Sequence, residues 1–104
     1  DFATFGELYR NDGVAADGTR VLPAGWRDHA RTFAAHDPEL GFDYGAQWWL
    51  WPDLAGSYAC HGYEGQYILV VPDRELVIVH LGKCPAAERP LVNEALRAVV
   101  AAAR

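Results

Sequence analysis

Two apolar runs rich in β-branched residues, Gln66 to Val71 and Leu76 to Leu81, flank the polar stretch Pro72-Asp73-Arg74-Glu75. Proline and aspartate supply turn chemistry, so the pattern predicts a hairpin. A third run, Ser57 to His61, leads into it through Gly62-Tyr63-Glu64-Gly65, whose glycines accept backbone angles closed to other residues. Neither hairpin run alternates with polar residues. Both faces of the sheet therefore need cover, and helices are expected on each side.

The remaining segments supply that cover. Asp1 to Arg10 has helical spacing, with Phe2, Phe5, Leu8 and Tyr9 on one face and Thr4, Glu7 and Arg10 on the other; Asn11-Asp12-Gly13 stops it. Val14 to Arg20 holds the turn dipeptide Asp17-Gly18 and is expected as a small surface hairpin or loop. Leu22-Pro23 opens a second predicted helix that continues to about Thr32. His36 to Gly41 is predicted as loop, because Asp37-Pro38 and Gly41 break periodicity. Phe42 to Leu50 is predicted as one strand, with Tyr44, Ala46, Trp48 and Leu50 on one face and Gln47, Trp49 and Trp51 on the other. Pro52 to Gly56 turns the chain back. The last helix, Ala87 to Ala103, places Leu91, Val92, Ala95, Leu96, Val99 and Val100 on one stripe and Asn93, Glu94 and Arg97 opposite. Together these elements predict an α+β chain: a twisted antiparallel sheet of about four strands flanked by helices, with the C-terminal helix packed on the sheet.

Composition narrows the functional classes. A chain of 104 residues holds one small domain, or a fragment of a larger one, over 1–104. A net charge of −5 without any cluster of lysine and arginine argues against nucleic acid as a partner. No apolar run approaches the roughly 20 residues of a membrane span, and the N-terminus has no basic-then-apolar signal pattern. The chain has no methionine, so it is expected to be processed or cut from something larger. The compartment, cytoplasmic or exported, stays open. Cys60 and Cys84 are not opposite each other in the simplest register and are expected unpaired.

Candidate chemistry is sparse. Four histidines invite a metal hypothesis, but His29, His36, His61 and His80 fall on different elements with no ligand spacing, so neither metal nor cofactor is expected. Trp48, Trp49 and Trp51 are candidates for an aromatic platform that binds a sugar or peptide; strand alternation would instead split them between core and cleft. The single serine, Ser57, and the single lysine, Lys83, are too far apart in sequence for a Ser-x-x-Lys nucleophile. Tyr9-Arg10-Asn11 matches Tyr-x-Asn as a string but sits at a helix end, where packing and a turn explain it.

Tyr67 to Gly82, of the form Tyr-apolar-Pro-acidic-basic-acidic-Leu-apolar behind a glycine-rich corner, resembles the late hairpin of the penicillin-recognising serine hydrolases. These include class C beta-lactamases, their esterase relatives and 6-aminohexanoate-dimer hydrolases. Asp1-Phe2-Ala3-Thr4-Phe5-Gly6 through Asn11-Asp12-Gly13, followed by Val21-Leu22-Pro23-Ala24-Gly25-Trp26, is similar to the helix, turn and helix that precede those strands. The resemblance implies a C-terminal segment of a beta-lactamase-like or transpeptidase-like fold, with an ester or amide as substrate and the nucleophile outside this chain. It also implies that Cys60-His61-Gly62 stands where the family has its Lys-Ser/Thr-Gly triplet, without the lysine. His61 would border the substrate cleft, the Tyr63 N–H would complete an oxyanion hole, and Glu64 at the corner tip would be solvated. Cys60, His61, Gly62 and Tyr63 are thus the cleft candidates. No catalytic residue is expected within the chain. The family flanks the strand equivalent to Glu75 to Gly82 with a strand from its N-terminal part, so here an exposed edge and self-association are expected. The rival reading is a non-catalytic binding or interaction domain that uses the tryptophan-rich strand.

Overall fold

In the computed structural model, which describes residues 1–103, Asp1 caps the first helix, α1 (Phe2–Arg10), by accepting the Thr4 N–H at 2.7 Å. The helix stops where expected, with Asp12 and Gly13 in left-handed backbone angles (φ 52° and 83°). Val14 and Arg20 then bridge across the Asp17-Gly18 turn as a small surface hairpin. The second helix is shorter than the sequence predicts. It spans only Trp26–Ala30 (α2), because Gly25 is left-handed at φ 82° and Pro23 therefore lies ahead of the helix. The Asp12 carboxylate accepts from the Gly25 and Arg27 N–H groups at 3.2 and 3.4 Å, which capping from a distance requires.

Six strands follow in place of the expected four or so: β1 (Ala35–Asp37), β2 (Phe42–Tyr44), β3 (Trp49–Leu50), β4 (Tyr58–His61), β5 (Tyr67–Val71) and β6 (Leu76–His80). Each pairs antiparallel with the next, so the open sheet is a simple meander. Two misreadings account for the added strands. The breakers in His36 to Gly41 form a hairpin turn, not a loop: Asp37 Oδ1 accepts from the Glu39 and Leu40 N–H groups, and Gly41 is left-handed. The predicted single strand Phe42 to Leu50 is itself a hairpin, folded at Gly45-Ala46-Gln47 with Gln47 at φ 72°. Gly45 permits the fold, since a Cβ there would lie 2.2 Å from the Ala30 carbonyl oxygen. Alternation survives from Trp48 to Trp51, but Tyr44 lies across from Trp49 with ring centroids 4.8 Å apart, on the face opposite to the one expected.

The sheet is covered on both faces, as its uninterrupted apolar runs require. On one face, α3 (Arg89–Ala102) sets Leu96 and Val100 against Trp51, Ala59, Leu69 and Val71. On the other, Tyr9 of α1 packs with Trp48, Tyr58 and Val70. Gly6 allows α1 to lie close, because a Cβ at that position would come within 2.6 Å of Val77 Cγ1. The α3 stripe is rotated from the predicted one. Val92, Leu96 and Val100 face the sheet, while Leu91, Ala95 and Val99 are exposed. Asn93 and Arg97, expected on the outer face, are half-buried, and the Arg97 guanidinium lies over the Trp51 ring at 4.7 Å while bonding Asp53. A guanidinium that stacks on an aromatic face is as much a packing group as a charge. No helix among the described residues is long and apolar enough to cross a membrane.

Leu96→Ala should lower stability by roughly 2 to 5 kcal/mol, because the site is a closed part of the core. The exposed Leu91→Ala should change the melting temperature little. Thermal denaturation of both variants checks the rotated stripe, and equal effects would reject it.

Candidate functional site

The four cleft candidates lie where β4 ends and turns into β5, a corner fastened from several directions. Gly62 N–H donates to the Gln66 carbonyl at 2.7 Å, and the Gln66 side chain bonds the Glu64 N–H and the Gly82 carbonyl. Cys84 N–H donates to the Glu64 carbonyl at 2.9 Å, Arg89 donates to the Tyr63 carbonyl, and His80 Nδ1 pairs with the Gly65 carbonyl at 2.9 Å. Both glycines are needed sterically. A Cβ on Gly65, which is left-handed at φ 88°, would meet Cys84 Sγ at 2.5 Å, and one on Gly62 would meet the Gln66 side chain at 2.8 Å. Tyr63 stands out at the tip, 88% exposed, and its N–H has no acceptor among the described residues.

Successive residues on a strand point to opposite faces, and this separates the candidates. Cys60 turns to the α1 face, packing beside Tyr58, Val70 and Trp48. There it lines a largely apolar cavity of about 320 Å³ with Phe2, Gln66, Ile68 and Leu81, and burial pushes its thiol pKa up. His61 turns to the α3 face. Its ring is stacked on Trp49 at 5.2 Å and edged by Phe42 and Tyr67, each at 5.0 Å, and its Nε2 accepts the Trp51 indole N–H at 2.9 Å. Since Nε2 is an acceptor, the neutral ring carries its proton on Nδ1. Burial, helped by the nearby Arg89 guanidinium, pushes its pKa down to about 4. His61, Gly62 and Tyr63 border a second cavity of about 470 Å³, walled by Arg89 and Asn93 of α3. Arg89 Nε and Asn93 Oδ1 are buried there without partners among the described residues.

Of the other sequence candidates, Lys83 and Cys84 lie at this corner, whereas Ser57, Tyr9, His29 and His36 do not. Ser57 is 3% exposed, and its hydroxyl donates to the Leu54 carbonyl at 2.6 Å, holding the turn before β4. Lys83 reaches Glu64 at 3.6 Å, so Glu64 is paired at the surface as well as solvated. Tyr9 packs against Phe5 and Trp48 on the sheet. Cys60 and Cys84 are free thiols. Among the described residues no three His, Cys, Asp or Glu side chains gather into a metal site; His36 instead bonds Asp43 across the β1–β2 hairpin at 2.6 Å, and His29 stacks with Trp26. Nothing in the sequence points to Arg89 or Asn93 at this corner, and Trp51 stands out there only as part of an aromatic platform, not as the partner of His61. A signal for the Trp51 pairing existed, because a buried indole N–H needs an acceptor.

A solved protein shares this fold. The structure named "Putative 6-aminohexanoate-dimer hydrolase from Bacillus anthracis" matches 97% of this chain with a TM-score of 0.76 and 28% sequence identity. The chain spans 27% of that protein's length. No family model matches the sequence, and neither does any curated protein. The likeness is one of fold over the matched segment.

The His61 environment generates a pH dependence. The folded ring resists protonation down to about pH 4, whereas the unfolded ring titrates near 6.5, so the unfolded state binds the extra proton first. The His61 contribution to stability is complete above pH 6.5, falls as pH drops toward 4, and amounts to at most about 3 kcal/mol. His61→Phe should be less stable at pH 7, since it strands the Trp51 N–H, yet should lose less stability than the parent chain between pH 6.5 and 4. Melting curves at a series of pH values test this. Parallel profiles would mean that the ring is not held neutral by burial.

Proposed function

We propose that this chain is the C-terminal portion of a serine hydrolase that cleaves ester or amide bonds through an acyl-enzyme, with the nucleophile outside the chain. The observation that carries this reading is the match over nearly the whole chain to part of a protein named as a putative hydrolase. In such a reaction a serine oxygen attacks the carbonyl carbon while a base takes its proton. Charge collects on the carbonyl oxygen, the alcohol or amine leaves with a proton, and water then releases the acyl group. The Tyr63 N–H, held at a rigid corner and lacking an internal acceptor, is suited to receive that oxyanion. Cys60 and Gly62 would line the cleft on the α1 side.

His61 takes a positioning role in this reading. Its neutral ring is engaged by Trp51 and enclosed by aromatic side chains, so it holds the corner and leaves proton transfer to other groups. The triplet lysine of the resembled family helps hold a substrate carboxylate. Its absence favours simple esters or amides over a dedicated beta-lactam substrate. The rival reading, a binding domain built on the tryptophan-rich segment, loses support because Trp48 and Trp51 are 3% and 1% exposed and Trp49 is covered by His61 and Tyr44.

The chain alone should not hydrolyse nitrocefin or p-nitrophenyl esters and should not be labelled by a fluorophosphonate. The full reading frame should be labelled once, at the serine of a Ser-x-x-Lys motif upstream of Asp1. Stoichiometric labelling of Ser57 would overturn these roles, and an upstream sequence lacking the motif would favour the binding-domain reading. In the full-length protein His61→Ala should lower kcat/KM modestly. A loss on the order of 10²-fold or more with the fold intact would assign His61 to proton transfer.

A further inference from the structure

The residues that brace the Gly62-Tyr63-Glu64-Gly65 corner do not act on the same peptide planes. The Tyr63 N–H belongs to the plane between Gly62 and Tyr63. Its direction is set by the planes before and after it, since a chain of flat peptide units turns only at its Cα atoms. His80 holds the Gly65 carbonyl and the Cys84 N–H holds the Glu64 carbonyl, both one or more planes further on. Arg89 holds the following plane by its Tyr63 carbonyl. Among these braces Gln66 alone reaches both neighbouring planes. Its backbone carbonyl accepts the Gly62 N–H of the preceding plane at 2.7 Å, and its side-chain Oε1 accepts the Glu64 N–H of the following plane at 3.2 Å.

The carboxamide suits this place in one orientation. With Oε1 toward the Glu64 N–H, Nε2 faces the Glu64 and Gly82 carbonyls at 3.4 and 3.3 Å. Turned over, the amide would set its oxygen against two carbonyls and its nitrogen against an N–H. The Gly82 bond also ties the corner to the chain leaving β6. The same side chain lies against Gly62, where a Cβ would come within 2.8 Å of Oε1 and 2.9 Å of the Gln66 Cβ. Glycine fits there, and glycine leaves its own backbone angles loosely held. The plane that carries the Tyr63 donor is therefore attached to the most permissive residue type and needs holding on each side. All of the Gln66 contacts run between residues of the chain itself, whatever covers the surfaces around them.

We infer that Gln66 is the positioning residue of the oxyanion hole, aiming the Tyr63 N–H by holding the peptide planes before and after it. The inference rests on the hydrolase reading above and adds a residue that touches neither substrate nor nucleophile. A loosely aimed donor must be ordered as charge appears on the carbonyl oxygen. Loosening it therefore raises the barrier to the chemical step and leaves binding of the uncharged substrate almost untouched. Gln66 acts on kcat and not on KM.

The test uses the full-length protein with a p-nitrophenyl ester, active sites being counted by fluorophosphonate labelling. Gln66→Met keeps the length of the side chain and removes its polar end. It should lower kcat about tenfold or more while KM changes less than about twofold, and the rate of labelling should fall in parallel. Gln66→Glu keeps the acceptor for the Glu64 N–H and should show the same split with a smaller loss, which preserves the test if Gln66→Met does not fold. Leu96→Ala weakens the core away from the corner and should leave kcat per labelled site near the parent value below its melting temperature. In the 104-residue chain, nitrogen-relaxation NMR should find the Tyr63 amide less ordered in the Gln66 variants than in the parent. An active parent whose kcat survives both Gln66 substitutions overturns the inference and leaves the hydrolase reading standing. So does a kcat loss matched by Leu96→Ala, or a Tyr63 amide whose order is unchanged. A parent with neither esterase activity nor a labelled serine overturns the hydrolase reading, and this inference with it.

Discussion

Five consecutive residues, Tyr67 to Val71, are each less than a tenth exposed, and the rest of the fold answers to that constraint. A strand with no wet face must be paired along both edges and covered on both sides, or its backbone and side chains stay in water. β4 and β6 supply the pairing. The two helices divide the covering. α3 closes over Leu69 and Val71, and α1, allowed near by Gly6, closes over Val70. The aromatic residues fill what the helices leave open. Trp48 seals the α1 side against Phe5, Tyr9 and Tyr58, while Trp51 seals the α3 side under Arg97. Substitutions at β5 should therefore propagate to both helices, whereas those on β1 reach neither.

This constraint also governs how far the sequence could be read. An uninterrupted apolar run identifies a doubly covered strand, so the central hairpin and its flanking helices were legible before any coordinates. The region from Ala35 to Leu50 was not. Its strands are two or three residues long, too short to express a period, and its turns depend on Gly45 and on Gln47 in left-handed geometry. Such turns reflect close approach of the chain to the Ala30 carbonyl, a contact that no local pattern encodes. The shortened α2 has a similar origin, since Asp12, thirteen residues upstream of Gly25, helps set its start. The rotated stripe of α3 has a different cause. With apolar residues on most of its circumference, this helix can bury more than one face, and Arg97 joins the covered side because its stem and guanidinium pack on Trp51.

The corner at Gly62-Tyr63-Glu64-Gly65 was legible as a tight turn but not as a braced one. Glycine spacing indicated unusual backbone angles. The braces come from Gln66 just before β5, His80 on β6, Cys84 in the segment after it and Arg89 at the start of α3. The partition of Cys60 and His61 to opposite faces follows from strand geometry alone. The fate of His61 does not, because its neutral state rests on Trp51, ten residues upstream, and on aromatic side chains from three strands.

In the proposed hydrolase, that bracing would bear on what the chain contributes to acyl transfer. Donors that stabilise a developing oxyanion act best when they are fixed before the charge appears, since a flexible loop would have to reorganise at the moment of reaction. The contacts fixing the Tyr63 N–H all come from within the chain. Its orientation is therefore a property of this fold and not of whatever supplies a nucleophile. In that hydrolase a reacting serine would have to approach within about 3 Å of the same carbonyl, a tolerance that contacts with an adjoining segment would have to set. The α1 face beside Cys60 is apolar, with Phe2 54% and Leu81 58% exposed around the cavity, and in the proposed hydrolase would be the surface for such a segment. The α3 face is filled by the chain's own core around Trp51, apart from the cavity that His61, Tyr63, Arg89 and Asn93 border.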